Sequence, residues 1–547
     1  LKHKRAIQTT TGTLVGTVID EKLQPISGVL VKVINVNNGF SFGRRTSLDG
    51  TYRIDFLPAG TYDIMAQADG YQPNMLSKFL VEVNREKIIK PPPIVLVPLV
   101  SPTVINSPNL PQNIFLQANI ADATLRGSAT TELLTTLPIA GIRSFDSFAL
   151  LVPGVLLAPQ SIGNSGPGIG AGVGTSGQFS VNGQRARNNN FTIDGSDNND
   201  QDVGIRRQGF TSSIPQTIES ITEFQITTLL ADTEAGRNTG GQVNVVSRTG
   251  KTNFHGEFYN FFTDSALNAR DFFDVNIAAL TNNPDQKKNA FTRNQFGGNF
   301  GFPLIKNRLA FFAAFEHQDL NQNKLLNFAV PTLAERNQAF SFAQRFLGMV
   351  SPLGRDALAL YPLPNNVGGA YGENTFSKIV PANGDGTVFS FRIDDQLNLL
   401  GKNNTLTLRY NFTDDDSRIP AVAESLNSSL DALVRTQNLA ITLNTEISQL
   451  TANQLRFSYG RTSLSFNEVA GSPFIFQTSP TFSDVNGDGK DDGRSGPLGR
   501  LNISPFSPIG IDTLTFPQGR ANNTFQFADT FIISFSKHTV KFGIDLR

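Results

Sequence analysis

Thr405-Leu-Thr-Leu-Arg-Tyr-Asn-Phe412 is the stretch on which the fold turns. Leu406, Leu408, Tyr410 and Phe412 alternate with Thr405, Thr407, Arg409 and Asn411, the period of two that gives a strand one apolar and one polar face. The pattern recurs to either side. Phe389, Phe391 and Ile393 alternate with Ser390, Arg392 and Asp394, and Val540, Phe542, Ile544 and Leu546 with Thr539, Lys541, Gly543 and Asp545. Roughly nine such segments follow Gly250, joined by connections of unequal length. Alternation alone fits a soluble antiparallel sheet with one wetted face equally well. The number of segments, and the mixture of short and long connections, favour a sheet that crosses a membrane as a barrel.

No run approaches the ~18 uninterrupted apolar residues of a membrane-spanning helix, so a helical membrane protein is excluded and a barrel is not. Among the 547 residues there are 44 Phe but only 8 Tyr and no Trp, so an interfacial Trp/Tyr girdle is sparse. Lys plus Arg and Asp plus Glu are both 46, which gives no basic field for a nucleic-acid partner. The absence of cysteine removes thiol catalysis, disulfides and thiolate metal sites.

Upstream, residues 11–98 read as short strands separated by turn residues, as in a β-sandwich: residues 14–19, 29–36, 50–56, 60–66 and 79–83, with reversals at Asp49-Gly50, Pro58-Ala-Gly60 and Asp69-Gly70. The order Asp49-Gly-x-Tyr52, Leu57-Pro-x-Gly-x-Tyr62 and Gly70-Tyr71 resembles the carboxypeptidase regulatory-like domain, a transthyretin- or Ig-like sandwich. Pro91-Pro-Pro93 and the prolines at 98, 102, 108 and 111 mark an extended tether that does not join a central sheet, and the linker is placed at 99–128. Residues 129–250 change to a mixed α/β texture with long polar loops.

The middle of the chain carries the family resemblance. Phe179-Ser-Val-Asn-Gly-Gln-Arg-Ala-Arg-Asn-Asn-Asn-Phe-Thr-Ile-Asp-Gly195 resembles the plug segment of TonB-dependent receptors, with Asp194-Gly195 as the closing pair. Ala235-Gly-Arg-Asn-Thr-Gly-Gly-Gln-Val-Asn-Val-Val-Ser-Arg-Thr-Gly250 looks like the plug's exit. Asn253-Phe-His-Gly-Glu-Phe-Tyr-Asn-Phe-Phe262, Asn294-Gln-Phe-Gly-Gly-Asn-Phe-Gly301 and His538-Thr-Val-Lys-Phe-Gly543 are similar to the barrel of the Oar-like branch. Asn182-Gly183, where classical receptors carry Arg-Gly, favours that branch over siderophore receptors.

The resemblance implies a mainly β protein of three parts: the sandwich in the periplasm, a plug at 129–250, and at 251–547 the N-terminal part of a transmembrane antiparallel β-barrel in the outer membrane. Barrels of this class have about 22 strands. The expectation is therefore that the barrel continues beyond Arg547 and that Leu1 is not a natural start. Implied partners are outer-membrane lipid, a TonB-type energy-coupling protein and a bulky solute, with oligosaccharide, peptide and metal chelate all open. No copy of the short motif that engages the coupling protein is evident near the tether. The alternative of a barrel-anchored adhesion or structural protein stays open for that reason.

Catalysis is not expected. The Gly-x-Gly spacing within residues 163–177 lacks the flanking strand and helix of a dinucleotide site, and the four histidines are scattered without ligand spacing. Asp484, Asn486, Asp488 and Asp492 occupy positions 1, 3, 5 and 9 of a candidate calcium loop with Gly489 at position 6, although Ser495 stands where the bidentate Glu belongs. No other cofactor is expected. In the plug, Arg185, Arg187, Asp194 and Arg237 are the charges singled out, either to line a solute route or to lock plug to wall by ion pairs. Locking is the preferred reading.

Overall fold

The structure, a computed structural model, describes residues 11–82, 86–88, 93–98, 125–137, 145–157, 179–201, 217–229, 236, 238–269, 288–348, 352–399, 401–422, 424–448, 450–469, 499–511, 516–535 and 538–547. Alternating burial shapes the first unit. β1 (Thr11–Asp20), β4 (Thr51–Pro58), β7 (Glu86–Ile88) and β8 (Ile94–Leu96) form one sheet, and β2 (Leu30–Asn35), β3 (Ser41–Arg45), β5 (Gly60–Gln67) and β6 (Asn74–Val81) the other. Between them Leu14, Val31, Val33, Ile54, Tyr62 and Ile64 make a fully buried core. Tyr62 lies within it because its hydroxyl donates to the Pro58 carbonyl at 2.8 Å, so burial leaves no orphan.

Two sequence expectations change here. The strand expected at 79–83 is β6 and begins at Asn74, and β8 joins the sandwich although prolines flank it. Its three residues all keep an N–H and pair parallel to β1 at the sheet edge, where Pro93 and Pro98 cost no ladder bond.

The middle unit is a five-stranded sheet in the order β13 (Ser196–Asp197), β12 (Asn190–Ile193), β15 (Gln242–Ser247), β14 (Ile221–Leu229) and β9 (Leu125–Thr130). A hairpin of β10 (Val155–Leu157) and β11 (Phe179–Val181) and helix α1 (Thr131–Thr136) complete it around Phe145, Phe191, Phe224 and Val243. β9 pairs with β14 and so draws residues 125–128, read as linker, into the sheet.

The third unit is one antiparallel sheet running β16 (His255–Asp264), β17 (Phe291–Ile305), β18 (Leu309–Ala329), β20 (Gly384–Leu399), β21 (Lys402–Ile419), β22 (Leu430–Glu446), β23 (Thr451–Glu468), β24 (Gln518–Phe535) and β25 (His538–Leu546), with β19 (Thr375–Pro381) extending β18. Connections of two to four residues, such as 306–308, 400–401 and 447–450, lie at one end, and the long ones, such as 330–374 and 469–517, at the other. Among the described residues β16 and β25 are its two edges.

Its burial pattern is inverted. Along β21 and β23 the buried positions are polar, among them Thr407, Arg409, Asn411, Gln454, Arg456 and Ser458. The facing side is apolar and open: one register level runs Phe302, Phe311, Ile393, Leu408, Ile441, Phe457, Phe527 and Leu546 across eight strands. Phe457, Phe527 and Leu546 on it are 38%, 46% and 55% exposed. A soluble sheet with one wet face would show the reverse, so this sheet faces lipid.

At the long-loop end, helix α2 (Leu333–Leu347) opens with a capping box in which Thr332 and Glu335 satisfy each other's backbone N–H. The Thr332 N–H, the largest influence, holds the Glu335 carboxyl below its ordinary range. A depressed carboxylate stabilises above its unfolded pKa and loses that contribution as pH falls through the lower folded value. The protection factor of the first-turn amides of α2, the exchange rate corrected for the intrinsic pH dependence of amide exchange, is thus expected to be unchanged from neutral pH down to about 5 and to fall below about 4.

Candidate functional site

Asp194 and Gly195 close the tight turn from β12 to β13 with φ of 47° and 69°. Asp tolerates this left-handed region and Gly adopts it freely, which is why the pair occurs here. The turn lifts the Asp194 carboxylate toward the wall. From its own unit it accepts from Ser247 N at 2.9 Å and Ser247 Oγ at 2.6 Å. From the wall it meets Arg409 Nε at 2.8 Å and Arg392 Nη1 at 3.6 Å.

Both arginines are themselves held. Arg392 forks onto Asp394 at 2.8 Å through Nε and Nη2 and donates to the Ser247 carbonyl at 2.9 Å. Arg409 reaches Ser196 Oγ at 2.6 Å and the Asn438 side chain. Thr249 and Thr407 donate to Asp394, each at 2.7 Å. Asp194 is 5% exposed and Arg409 not at all. Two carboxylates and two guanidiniums cancel, and each of the four side chains also takes part in hydrogen bonds, which is the condition under which buried charge is tolerated.

The rest of the loop docks in the same way. Asp197 N donates to Gln526 at 2.9 Å, Asn438 donates to the Asp197 carbonyl at 3.1 Å, and Arg456 reaches the Gly195 carbonyl. Arg520 pairs with Asp200 at 2.6 Å and Arg547 with Asp197 at 3.0 Å. Asp194-Gly-Ser-Asp-Asn-Asn-Asp200 therefore meets arginines from β20, β21, β23 and β24.

Of the four charges singled out from the sequence, Asp194 lies at the centre of this contact. Arg185 is exposed and Arg187 half-buried on a short turn at the opposite end of β12, so the structure does not bring them to Asp194. Arg237 lies outside the described residues, as do the candidate calcium ligands Asp484, Asn486, Asp488 and Asp492 and the Gly-rich stretch 163–177. Among the described residues no group of three His, Asp or Glu side chains is placed to hold a metal ion. The wall partners Arg392 and Arg409 were visible only as members of the polar parity of their strands. The site holds two bodies together.

The chain leaves the middle unit through Gly250, where an added Cβ would lie 2.4 Å from the Phe311 carbonyl oxygen of β18. Gly250→Val is expected to lift this exit off the wall and cost about 1–3 kcal/mol, read as a lower denaturant midpoint of the folded, heat-modifiable species.

Comparison with known proteins agrees with this architecture. The outer membrane beta barrel domain family matches residues 246–547, and the carboxypeptidase regulatory-like domain family matches residues 13–90. The TonB-dependent transporter Oar of Myxococcus xanthus is 26% identical over 313 residues, which are 56% of this chain and 26% of that protein, so the chain spans about a quarter of its length. Among solved structures, the outer membrane transporter YddB from Escherichia coli is 11% identical with a TM-score of 0.43, covering 75% of this chain and 45% of that one. A ferric enterobactin receptor from Pseudomonas aeruginosa is also 11% identical, with a TM-score of 0.41 over 76% and 48%. Each of the three bears the name of a transporter or a receptor. With more than half of its length matched, the chain belongs to the outer membrane β-barrel domain family, carries an N-terminal carboxypeptidase regulatory-like domain, and has its place in the outer membrane as a homologue of a TonB-dependent transporter.

Proposed function

We propose that the protein is a plugged outer-membrane receptor that admits a bulky solute when its plug is pulled away from the wall by a TonB-type coupling protein. The observation that carries this reading is Asp194, a plug carboxylate buried between two wall arginines. Ionic hydrogen bonds in a poorly hydrated site are strong but act over a short distance, so a displacement of a few ångström removes most of their energy. Such a contact holds against thermal motion and yields to directed force. The loop's remaining bonds to Gln526, Arg456 and Arg520 share the load.

A solute of the oligosaccharide, peptide or metal-chelate class fits a wall whose inward face carries Asn, Gln, Ser, Thr and Arg. Structural calcium in the 484–492 loop remains a proposal of the sequence alone. The test is co-purification of the full-length receptor with the coupling protein's periplasmic domain from energised membranes. Retention is expected. Its absence, with receptor folded in the outer membrane, overturns driven transport in favour of a barrel-anchored adhesion protein.

A further inference from the structure

The sandwich does not hang free below the barrel. Ser41 and Gln396, at the short-turn end of the wall, exchange two hydrogen bonds of 3.3 Å. Arg44 donates to the Ser448 carbonyl in the β22–β23 turn, and Thr252 N donates to the Asn37 carbonyl. Phe56 is the telling residue. It belongs to β4, yet it lies outside the sandwich core and packs on Ala452 and Ile532 of β23 and β24. It does so at an irregularity in the pairing of β1 with β4, with φ of 56°. A bulky residue in the left-handed region is strained, and strain of that kind persists only where the surroundings hold it.

Directly beside this contact, Thr11, Pro58 and Ala59 of the sandwich share a cavity of about 20 Å³ with Asp194, Ser247 and Arg392. That is room for about one water. The face of the ion-pair cluster nearest the sandwich is therefore shielded from bulk solvent by the sandwich itself.

Resting on the transport reading above, we infer that the sandwich is a lid on the ion-pair cluster and that it undocks before the plug can move. While it is docked, the cluster keeps a low local dielectric. When it leaves, water enters, and an effective dielectric rising from about 20 to about 80 weakens each Coulomb attraction about fourfold. Release thus runs in two steps, lid first and plug second, with the strained Phe56 backbone biasing the lid toward leaving once its contacts are disturbed.

These 547 residues contain no cysteine, so within them a cross-link reports only the introduced pair, and the parent receptor treated alongside is the control. S41C/Q396C in the full-length receptor, treated in whole cells with a short bis-maleimide, is expected to cross-link extensively after a protonophore and several-fold less in energised cells. Phe56→Ala, which removes the ring and keeps the strained backbone, is expected to lower the protonophore yield several-fold while the sandwich stays protease-resistant. No cross-link in either state overturns the docking, and equal yields in both overturn the ordered release. If equal yields accompany retention of the coupling protein in the co-purification above, the lid fails and the receptor reading stands; if the coupling protein is also lost, both fail.

Discussion

Asp194→Ala in the full-length receptor is expected to weaken plug docking by about 3–5 kcal/mol, the range for breaking one side of a buried charge pair. Most of that cost comes from what is left behind. Arg409 is fully buried, and without Asp194 its Nε loses its 2.8 Å carboxylate partner. Arg392 keeps its fork onto Asp394 and suffers less. Ser247 loses the acceptor for both its N–H and its hydroxyl. In planar bilayers the variant should show frequent channel openings where the parent is silent, and in cells it should admit large antibiotics. Asp194→Asn keeps the shape and one acceptor, so a smaller effect is expected. The double variant D194A/R409A should cost less than the sum of the single changes, because the orphaned cation is gone; strict additivity would show that the two do not interact. A silent D194A channel would mean that Arg520–Asp200 and the backbone contacts hold the plug unaided.

Phe457→Arg is the second large effect expected, about 2–4 kcal/mol, the cost of a cation near the bilayer midplane on the lipid face of a barrel. Phe457 sits near the middle of β23, between Ile441 and Phe527 on its neighbours, with its ring on the open apolar face. Ser465→Arg has the same outward parity near the long-loop end of that strand, and about 0–1 kcal/mol is expected there. The comparison is made by denaturant titration of the heat-modifiable form in lipid. Equal, small effects at both positions would mean that this face meets water, and the sheet would then be a soluble one.

Alternation at residues 389–394, 405–412 and 539–546 was enough to place strands, because period two is a local property of the chain and survives without knowledge of partners. It was not enough to say which face is inside. That required the middle unit, whose loop 194–200 occupies the polar side and so turns Thr407, Arg409 and Ser458 inward and Leu408 and Phe457 outward. The sandwich was legible for a similar reason, since Asp49-Gly50 and Pro58-Ala-Gly60 fix reversals by their own dihedral preferences. β3 escaped notice because Ser41-Phe-Gly-Arg-Arg45 carries a single large apolar residue, and β8 because its prolines suggested a tether.

For the site, the sequence determined that Asp194-Gly195 makes a tight turn and that Arg392 and Arg409 share a parity with Thr and Asn. Tertiary structure alone decided that they meet. Asp194 and Arg409 are 215 residues apart, on different units, and no local preference encodes a pairing that depends on how a loop seats against a wall. A turn's geometry is set by two residues' dihedral angles, whereas a buried ion pair is set by the packing that excludes water from around it. The first is written in the chain, and the second exists only once the parts have closed on one another.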